Sequence, residues 1–384
     1  METRSPSLVS RVAQWIGLGA HIPQPSGPLP VRSVHFRVPG GVFVQCFFPI
    51  APASATNTAY EQTGWARTYR NGVIYGASEF SRTPYLLMKL VLEGSIHPLA
   101  EANRLPLQIP LDSKKHPVVL FSHGLGGSAE TYTKQCSDLA SSGYVVIALE
   151  HEDGSGAHAK RENGEVVAYI RPPTDLVYVP DHVIGFRAPF LSKRKAEVEV
   201  VLEYLHHLPA SGNELARVMD LTKIAMAGHS FGSATSVYVA RTLPPQTFCG
   251  LLLLDVWSFP LPDLALGAGG VPVCSILSEP FAHNNEAELT RTLLQASNAM
   301  SFYLPGTVHS SFSDTPWWLP AWLGRRSGLL GKQDPDLAQA IVLKIETAFL
   351  ASIFHDTQSP SPAVMKSLEA KLAGQFAPSE LRLF

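Results

Sequence analysis

The sequence predicts an α/β fold in which helices cover both faces of a mostly parallel central sheet. Short, continuous apolar runs, such as residues 116–124, 144–151 and 222–229, alternate with helical patterns along the 384-residue chain. Runs without polar alternation are typical of strands that are buried on both faces of a sheet. Parallel strands need long crossover connections, which are usually helices, so this alternation favours βαβ units.

The predicted elements begin with a β-hairpin at residues 31–50, because apolar and polar residues alternate on both sides of Pro39-Gly40-Gly41. The apolar segment 83–96 predicts a helix. The elements that follow are strand 116–124, helix 128–141, strand 144–151, a polar loop at 152–185, amphipathic helix 193–208, strand 222–229, a helix from 231, strands 248–256 and 271–277, helix 285–297, strand 300–306 and a long helix near 336–354.

The sequence also indicates how the chain is divided and which classes of binding function its composition does not support. Since no repeat or linker interrupts the alternation, we expect an N-terminal arm at 1–30, one domain at 31–356 and a C-terminal tail at 357–384. The formal net charge is -2 with 16% charged residues, so composition does not support nucleic-acid binding, and no obligate protein partner is evident. The four cysteines form no C-x-x-C pair, which predicts buried free thiols.

A serine stands between two glycines where a predicted strand becomes a predicted helix. Residues 225–235 read AMAGHSFGSAT, so Gly228-x-Ser230-x-Gly232 fits the nucleophile elbow of hydrolases. This tight turn needs small flanking residues and presents the serine at a helix N-terminus. There the helix dipole and the N–H of Phe231 favour negative charge. The alternative is a chance glycine-serine turn, but the strand before and the helix after favour a nucleophile.

A nucleophilic serine needs an acid and a base, which follow it in the order Ser, Asp/Glu, His. Of the downstream histidines, His309 follows a predicted strand in a glycine-containing loop, and we predict that it is the base rather than His283 or His355. Asp255 and Glu279 end neighbouring predicted strands. A carboxylate at the end of a buried strand is costly unless it is paired. The chemistry favours Asp255 as the acid and leaves Glu279 as the alternative.

The glycine-rich segment FSHGLGG, residues 121–127, predicts the second donor of an oxyanion hole. The N–H of Leu125 would join that of Phe231. We interpret His123 as structural because it comes too early in the chain, and we expect His229 to pack beneath the elbow. The polar residues within 151–158 lack a helical i, i+4 histidine pair, so no metal site is predicted.

With these residues in place, the chain resembles the platelet-activating factor acetylhydrolases, the plasma and intracellular type II enzymes. The resemblance runs from about residue 30 to residue 355. Trp257, Phe259 and Pro260 after Asp255 are its most specific feature, because a generic hydrolase does not require them. The chain departs from the family at Ser233, where a second glycine is usual. The segments that carry the resemblance, in order, are FSHGLGG, LASSGYVVIALEHED, GHSFGSAT, LLLLDVWSFPL and GTVHSSFSD.

The elbow within such a sheet predicts the α/β-hydrolase fold, and the resemblance implies a calcium-independent esterase. Its substrates would be phospholipids with a short or oxidised sn-2 acyl chain. The resemblance implies Ser230 as nucleophile, Asp255 as acid and His309 as base, with Leu125 and Phe231 as oxyanion donors. No calcium-loop pattern occurs, and neither metal nor cofactor is expected. The alternatives are another carboxylesterase, such as a polyester- or cutin-type hydrolase, and a non-catalytic binding module of this fold.

Two apolar segments flank the predicted site and predict contact with a lipid surface, although they could instead cover the sheet. The N-terminus lacks a secretory pattern, since Arg11 and Gln14 interrupt its apolar stretch. We therefore expect a cytoplasmic protein that attaches peripherally to membranes or lipoprotein-like aggregates. The membrane-contact candidates are Tyr85, Leu86, Leu87 and Met88 in the first segment and Trp317, Trp318 and Trp322 in the second.

Overall fold

A nine-stranded sheet crosses the centre of the protein. The computed structural model describes residues 19–50, 69–93, 95, 97–104, 109, 113–355 and 360–384. The strands are β1 (Val31–Arg37), β2 (Phe43–Pro49), β3 (His116–Ser122), β4 (Val145–Glu150), β5 (His158–Lys160), β6 (Val166–Ala168), β7 (Met219–His229), β8 (Leu251–Leu254), β9 (Val273–Ser278), β10 (Met300–Leu304) and β11 (Arg382–Leu383). β5 and β6 form a separate hairpin.

The main sheet has the order β1-β2-β4-β3-β7-β8-β9-β10-β11. The strands from β4 to β10 in this order run parallel. β1, β2 and β11 pair antiparallel at the two edges. The carboxyl ends of β7, β8 and β10 therefore lie on the same edge of the sheet, where ligand sites form in open α/β sheets.

Helices connect the strands and cover both faces of the sheet. They are α1 (Asn71–Ser81), α2 (Tyr85–Leu92), α3 (Ala100–Arg104), α4 (Thr133–Ser141), α5 (Pro180–His207), α6 (Phe231–Thr242), α7 (Glu279–His283), α8 (Ala287–Ala296), α9 (Ala321–Arg326), α10 (Pro335–His355) and α11 (Pro362–Ala373). Short 3₁₀ helices span Glu214–Arg217, Leu264–Leu266, His309–Phe312 and Thr315–Trp317.

The core is divided between the two faces of the sheet, as the continuous apolar strands predicted. Along β3, Val118 and Leu120 belong to the core cluster that includes residues of α5, α6 and α8, whereas Val119 and Phe121 belong to the cluster that includes residues of α4, α10 and α11. Successive strand residues point to opposite faces, so a strand covered on both sides must be apolar throughout. The structure thus explains why these strands lack polar alternation.

Most predicted elements are present, but the segment predicted as a polar loop at 152–185 is wrong in part. It contains β5 and β6, and α5 begins at Pro180 rather than near residue 193. Pro180 occupies the first helical position, where a missing N–H costs no hydrogen bond. Pro189 lies within the helix. Buried Val183 and Phe190 hold this first half of α5 against the core, a tertiary effect that local composition does not reveal.

Residues 360–384, which fall in the predicted C-terminal tail, pack against the main domain. Within them, α11 contributes Met365 and Leu372 to the core, and β11 pairs with Phe302 and Tyr303 of β10. The segment therefore extends the sheet by one short strand. The division of the chain into an arm, a domain and a tail stays a prediction.

Among the described residues, one helix is long and apolar enough to cross a membrane, namely α10. In its most apolar window, 56% of the residues are buried within the fold. Ile345 and Phe349 of α10 pack beneath the sheet. A core helix that lies against a sheet needs this composition without any membrane.

Candidate active site

Ser230 occupies the turn between β7 and α6. Its φ of 57° and ψ of -118° are strained for a residue with a side chain. The N–H of Ser230 donates to the carbonyl oxygen of Leu254 at 2.9 Å, which ties the turn to β8. A serine in this conformation at the end of a parallel strand has the geometry of a nucleophile elbow.

The two glycines of the elbow have no room for a side chain. A Cβ at Gly228 would lie 2.3 Å from the carbonyl carbon of Gly232, and one at Gly232 would lie 1.9 Å from the oxygen of Ser122. Ser233, where the chain departs from the family pattern, donates its hydroxyl to the carbonyl oxygens of Gly228 and Leu254 at 2.6 and 2.9 Å. Its side chain therefore fits the turn instead of disturbing it.

Asp255 and His309 are joined by a hydrogen bond. Nδ1 of His309 lies 2.8 Å from Oδ2 of Asp255. Asp255 is fully buried and also accepts the backbone N–H and the hydroxyl of Ser278 at 2.6 and 2.7 Å. Because a carboxylate only accepts, Nδ1 of His309 must donate, and Nε2 is left free to accept a proton.

Glu279, the alternative acid, has another partner. It lies on the exposed start of α7, and its Oε2 accepts the N–H of Gly306 at 3.0 Å. This bond holds the loop after β10. The structure therefore pairs Asp255, rather than Glu279, with His309.

His229, which we expected to pack beneath the elbow, is buried next to Ser230. It lines the same cavity as Ser230 and His309, and its ring centroid lies 4.4 Å from that of His309. Burial and the nearby His309 lower the pKa of His229 well below its usual value, so its ring is neutral. On its far side, Nδ1 of His229 lies 2.9 Å from the hydroxyl of Tyr132.

The glycine-rich loop after β3 lies against the nucleophile. A Cβ at Gly124 would lie 3.1 Å from Cβ of Ser230. The N–H of Gly124 donates to the hydroxyl of Tyr132 at 3.0 Å, which fixes the start of the loop. Leu125 lines the cavity next to it. Phe231 is the first residue of α6, so its N–H belongs to a helix N-terminus beside Ser230.

A cavity of about 570 Å³ brings these groups together. The glycine loop, the elbow and the loop of His309 form its floor, and α1, α2 and the segment after His309 form its sides. Phe80, Met88 and Trp318 are among the residues at its sides.

Three of the five residues predicted for catalysis line one cavity, and the other two adjoin them. Asp255 and His309 are hydrogen-bonded, and Ser230, His309 and Leu125 line the cavity wall. Phe231 lies directly after Ser230. The catalytic roles assigned to them stay predictions.

Asp314 is a buried carboxylate that sequence reasoning gave no role. It accepts the N–H groups of Thr133 and Lys134 at 2.9 Å each, and thereby caps α4. The hydroxyl of Tyr69 donates to it at 3.2 Å. Burial raises the pKa of Asp314 to about 6, although these bonds oppose the shift. Asp314 follows His309 by one short turn, so it ties the loop of His309 to α4.

A second buried network lies behind the glycine-rich loop. Arg194 of α5 is fully buried and donates to Asp153 at 3.0 Å and to the carbonyl oxygen of His123 at 2.8 Å. Nδ1 of His151 lies 2.6 Å from Oε2 of Glu197. The polar cluster found after β4 in the sequence thus supports the loop. Sequence reasoning missed Arg194 because it stands between two lysines, and nothing in the local sequence marks it as the buried one.

One group of side chains in the described part of the chain could offer three ligand atoms to a metal ion, within 4.8 Å of one another: His229, Asp255 and His309. Nδ1 of His309, Oδ2 of Asp255 and Nδ1 of His229 already have partners, whereas Nε2 of His229 has none among the described residues. Asp255 and His309 bond to each other, and His229 lies within hydrogen-bond distance of Tyr132. The chemistry of this group fits a histidine that is oriented by a carboxylate better than it fits a metal centre.

The first membrane-contact segment is exposed except for one residue. Leu86 is 78% exposed, and Tyr85 and Leu87 are also exposed at the start of α2. Met88 is buried and lines the cavity, so the prediction that it faces lipid is wrong. A helix turns each residue by about 100°, which carries Met88 to the inner face.

The second segment is divided in the same way. Trp322 of α9 is 68% exposed. Trp318 instead lines the cavity, and its indole N–H donates to the hydroxyl of Tyr69 at 2.9 Å. Trp317 is half-buried and donates to Asp336 at 3.1 Å. Two of the three tryptophans are therefore held by the fold.

Known proteins show similarity over most of the chain. The family described as platelet-activating factor acetylhydrolase, isoform II, matches residues 19–361. The platelet-activating factor acetylhydrolase of Canis lupus familiaris is 27% identical over 332 residues, which are 81% of this chain and 71% of that protein. The enzyme of the same name from Cavia porcellus is 31% identical over 292 residues, 72% of this chain and 64% of that protein.

A solved structure confirms the predicted fold. A ferulic acid esterase from Streptomyces cinnamoneus superposes with a TM-score of 0.61 and 22% identity, covering 95% of this chain and 99% of that one. At this identity the likeness concerns the α/β-hydrolase fold alone. The family match says more than the structural likeness, because the matched residues span the sheet from β1 to β10 and include Ser230, Asp255 and His309. The resemblance seen in the sequence is confirmed: the chain belongs to the platelet-activating factor acetylhydrolase isoform II family.

Proposed function

We propose that this chain is a serine esterase that hydrolyses the sn-2 acetyl, short or oxidised acyl ester of phospholipids such as platelet-activating factor, that is, a 1-alkyl-2-acetylglycerophosphocholine esterase. The observation that carries the proposal is the hydrogen bond between His309 and Asp255 beside the strained Ser230. Membership of the family supports the substrate class.

Acylation begins when Oγ of Ser230 attacks the carbonyl carbon of the sn-2 ester. Nε2 of His309 takes the hydroxyl proton, and Asp255 stabilises the imidazolium through the bond at Nδ1. The carbonyl oxygen becomes an oxyanion, which accepts hydrogen bonds from the N–H groups of Leu125 and Phe231. As the oxyanion collapses, the bond between the acyl carbon and the glycerol oxygen breaks, His309 gives its proton to that oxygen, and the lysophospholipid leaves.

Deacylation repeats these steps with water. Nε2 of His309 takes a proton from a water molecule, whose oxygen attacks the acyl carbon bound to Ser230. The same two N–H groups hold the second oxyanion. Its collapse releases the carboxylic acid and returns the proton to Ser230. The balance is one ester and one water consumed, and one acid and one alcohol formed.

The chemistry supports a reaction without calcium. Each charge that develops during the reaction has a protein group to stabilise it, since the oxyanion meets backbone N–H groups and the imidazolium meets Asp255. A calcium ion would have no separate task in these steps. We therefore expect a chelator to leave turnover unchanged.

We also propose that the protein attaches reversibly to the surface of its lipid substrate through Leu86, Leu87 and Trp322. Their segments continue into the cavity wall at Met88 and Trp318. The exposed apolar side chains therefore stand beside the route by which a phospholipid would enter. Arg325 and Arg326, which are exposed on the same helix as Trp322, suit anionic headgroups. The cytoplasmic location stays a prediction.

Hydrolysis of phosphatidylcholines with graded sn-2 chains, from acetyl to palmitoyl, tests the function. We expect turnover of the acetyl and short-chain lipids with EDTA present and little turnover of the long ones. Ser230→Ala should lose roughly 10⁴-fold or more in kcat and escape labelling by a fluorophosphonate probe. The variant's melting temperature, compared with the wild type, shows that it is folded. An active Ser230→Ala protein, or hydrolysis of aryl esters without any of phospholipids, would refute the proposal.

A further inference from the structure

A second cavity lies on the other side of α1 from the active site. It measures about 490 Å³ and is lined by residues of α1, β6 and the segment between β4 and β6. Phe80, near the end of α1, lines both this cavity and the active-site cavity. Its side chain is therefore a wall that the two cavities share. Tyr75, Ala157, Ala168 and Tyr169 also line the second cavity.

The ring of Phe80 is held against the glycine-rich loop. A Cβ at Gly126 would lie 2.5 Å from the Phe80 ring, so the ring rests directly on the backbone there. Gly126 has a φ of 67°, which a residue with a side chain rarely adopts. Both facts require glycine at this position. The contact places Phe80 one residue away from Leu125, the proposed oxyanion donor.

The opposite side of the ring is also fixed. Tyr169 meets Phe80 edge to face, with ring centroids 4.8 Å apart and an interplanar angle of 90°. The hydroxyl of Tyr169 accepts from Arg187 at 3.0 Å. Arg171 donates to the carbonyl oxygen of Phe80 at 3.1 Å and so caps the end of α1. The position of the Phe80 wall is thus fixed by packing among α1, the glycine-rich loop and the segment after β6.

The reaction geometry indicates which part of the substrate approaches Phe80. The leaving glycerol oxygen must lie near His309, because that residue protonates it. The rings in contact with His309 are those of His229 and Phe281. Phe80 instead contacts the loop that would hold the carbonyl oxygen. The acyl chain is attached to the carbonyl carbon on the side opposite to the glycerol oxygen. It is therefore the part of the substrate that meets Phe80.

We propose that Phe80 is a specificity-determining residue that limits the length of the acyl chain by closing the active-site cavity off from the second cavity. Without the ring the two cavities join, and the second one, bordered by Ala157 and Tyr75, receives a longer chain. This inference rests on the proposed esterase function, because chain length is measured through turnover at Ser230.

The test compares soluble 4-nitrophenyl esters from acetate to octanoate on the full-length protein. In Phe80→Ala, the ratio of kcat/KM for octanoate to that for acetate should rise by on the order of 10-fold or more, since one methylene in an apolar pocket is worth about that factor. Phe80→Trp, which thickens the wall, should lower the ratio. Tyr75→Ala is the matched control: Tyr75 lines the second cavity and is not among the residues that line the active-site cavity, so the ratio should stay at the wild-type value.

A second substitution checks the route of the chain. Ala168→Trp adds a large ring to the lining of the second cavity, and in the Phe80→Ala background it should return the ratio towards that of the wild type. An unchanged ratio in Phe80→Ala, with every ester still hydrolysed, would overturn the proposal and leave the esterase function intact. If the wild type hydrolyses none of the esters, the proposed function itself fails. If Phe80→Ala does not fold, Phe80→Leu should show a smaller rise, and an unchanged ratio there refutes the wall.

Discussion

The hydroxyl of Tyr132 lies 2.9 Å from Nδ1 of His229 and receives the N–H of Gly124 at 3.0 Å. One side chain thus connects the elbow, through its histidine, to the loop that would hold the oxyanion. Gly124 and His229 are themselves buried, so bulk solvent does not replace this hydroxyl as their partner. The distance between the nucleophile and the oxyanion donors therefore depends on this hydroxyl.

Removal of this hydroxyl should impair turnover more than substrate binding. In Tyr132→Phe the N–H of Gly124 and one nitrogen of His229 lose their partner, at a cost of about 1–3 kcal/mol for each buried group left unsatisfied. We expect kcat to fall roughly 10-fold or more while KM changes little, because displaced oxyanion donors weaken the transition state. Kinetics with 4-nitrophenyl acetate measure both constants. Tyr144→Phe, in the core beneath the sheet, is the matched control, and equal losses in the two variants would contradict the role of Tyr132.

The acid can be identified by comparing two carboxylates. Asp255→Asn presents an amide N–H to His309, which disfavours the tautomer with a basic Nε2, so kcat should fall by about 10⁴-fold. Glu279→Gln keeps an oxygen to accept from Gly306 and should reduce kcat less than about 10-fold. Single-turnover release of nitrophenol measures the acylation step in both variants. A larger loss in Glu279→Gln than in Asp255→Asn would move the acid to the end of β9.

The parallel sheet and the elbow could be predicted because their signals are local. A buried strand must be apolar at every position, and the Gly228-x-Ser230-x-Gly232 pattern is imposed by contacts within one turn. Asp314 could not be found in this way. Its partner Lys134 lies 180 residues earlier in the chain, and the surrounding sequence reads as an ordinary polar loop.

The misread positions share a physical cause. Nothing local distinguishes Arg194 from its lysine neighbours, yet it is the fully buried member because one face of α5 lies under the glycine-rich loop. Met88 and Trp318 are apolar like the exposed residues beside them, and only the position of the cavity decides that they face inwards. Burial is set by the tertiary fold, so composition alone assigned these residues to the wrong surface.

The stability of the fold should depend on pH through Glu346. This residue of α10 is buried, and its pKa is raised to about 8 because burial disfavours the charged carboxylate, while its bonds with Gln135 at 2.6 Å oppose the shift. The folded protein then retains a proton that the unfolded chain releases near pH 4.5. The stabilising contribution is complete below that pH and is lost as the pH rises to about 8.

Glu346→Gln removes this titration, since an amide carries no charge at any pH. Its free energy of unfolding should vary less between pH 4.5 and 8 and exceed that of the wild type at pH 9 by about 1 kcal/mol or more, roughly 2 °C in Tm. Thermal unfolding across this range measures the difference. Glu288→Gln, whose side chain is exposed on α8, should follow the wild type. Parallel curves for all three proteins would show that Glu346 does not titrate in this range.

Attachment to lipid should depend on the exposed residues beside the cavity and not on apolar exposure in general. Leu86 is 78% exposed on α2, and Leu266, on a 3₁₀ helix outside the cavity wall, is 65% exposed. Insertion of one leucine into the interface is worth on the order of 2 kcal/mol. Leu86→Asp should therefore lower the fraction bound to vesicles of phosphatidylcholine with phosphatidylserine by about 10-fold, and Trp322→Ala should lower it less. Leu266→Asp should bind like the wild type.

Sedimentation with liposomes measures binding, and turnover of 4-nitrophenyl acetate reports whether the active site is intact. The prediction requires that Leu86→Asp keeps soluble-ester turnover and loses turnover of lipid in vesicles, because the exposed leucine touches the surface and not the reacting ester. Higher ionic strength should weaken the remaining attachment if Arg325 and Arg326 meet anionic headgroups. Equal binding by Leu86→Asp and Leu266→Asp would mean that lipid is met by another face of the protein. Loss of both activities together would instead place Leu86 among the residues that hold the fold.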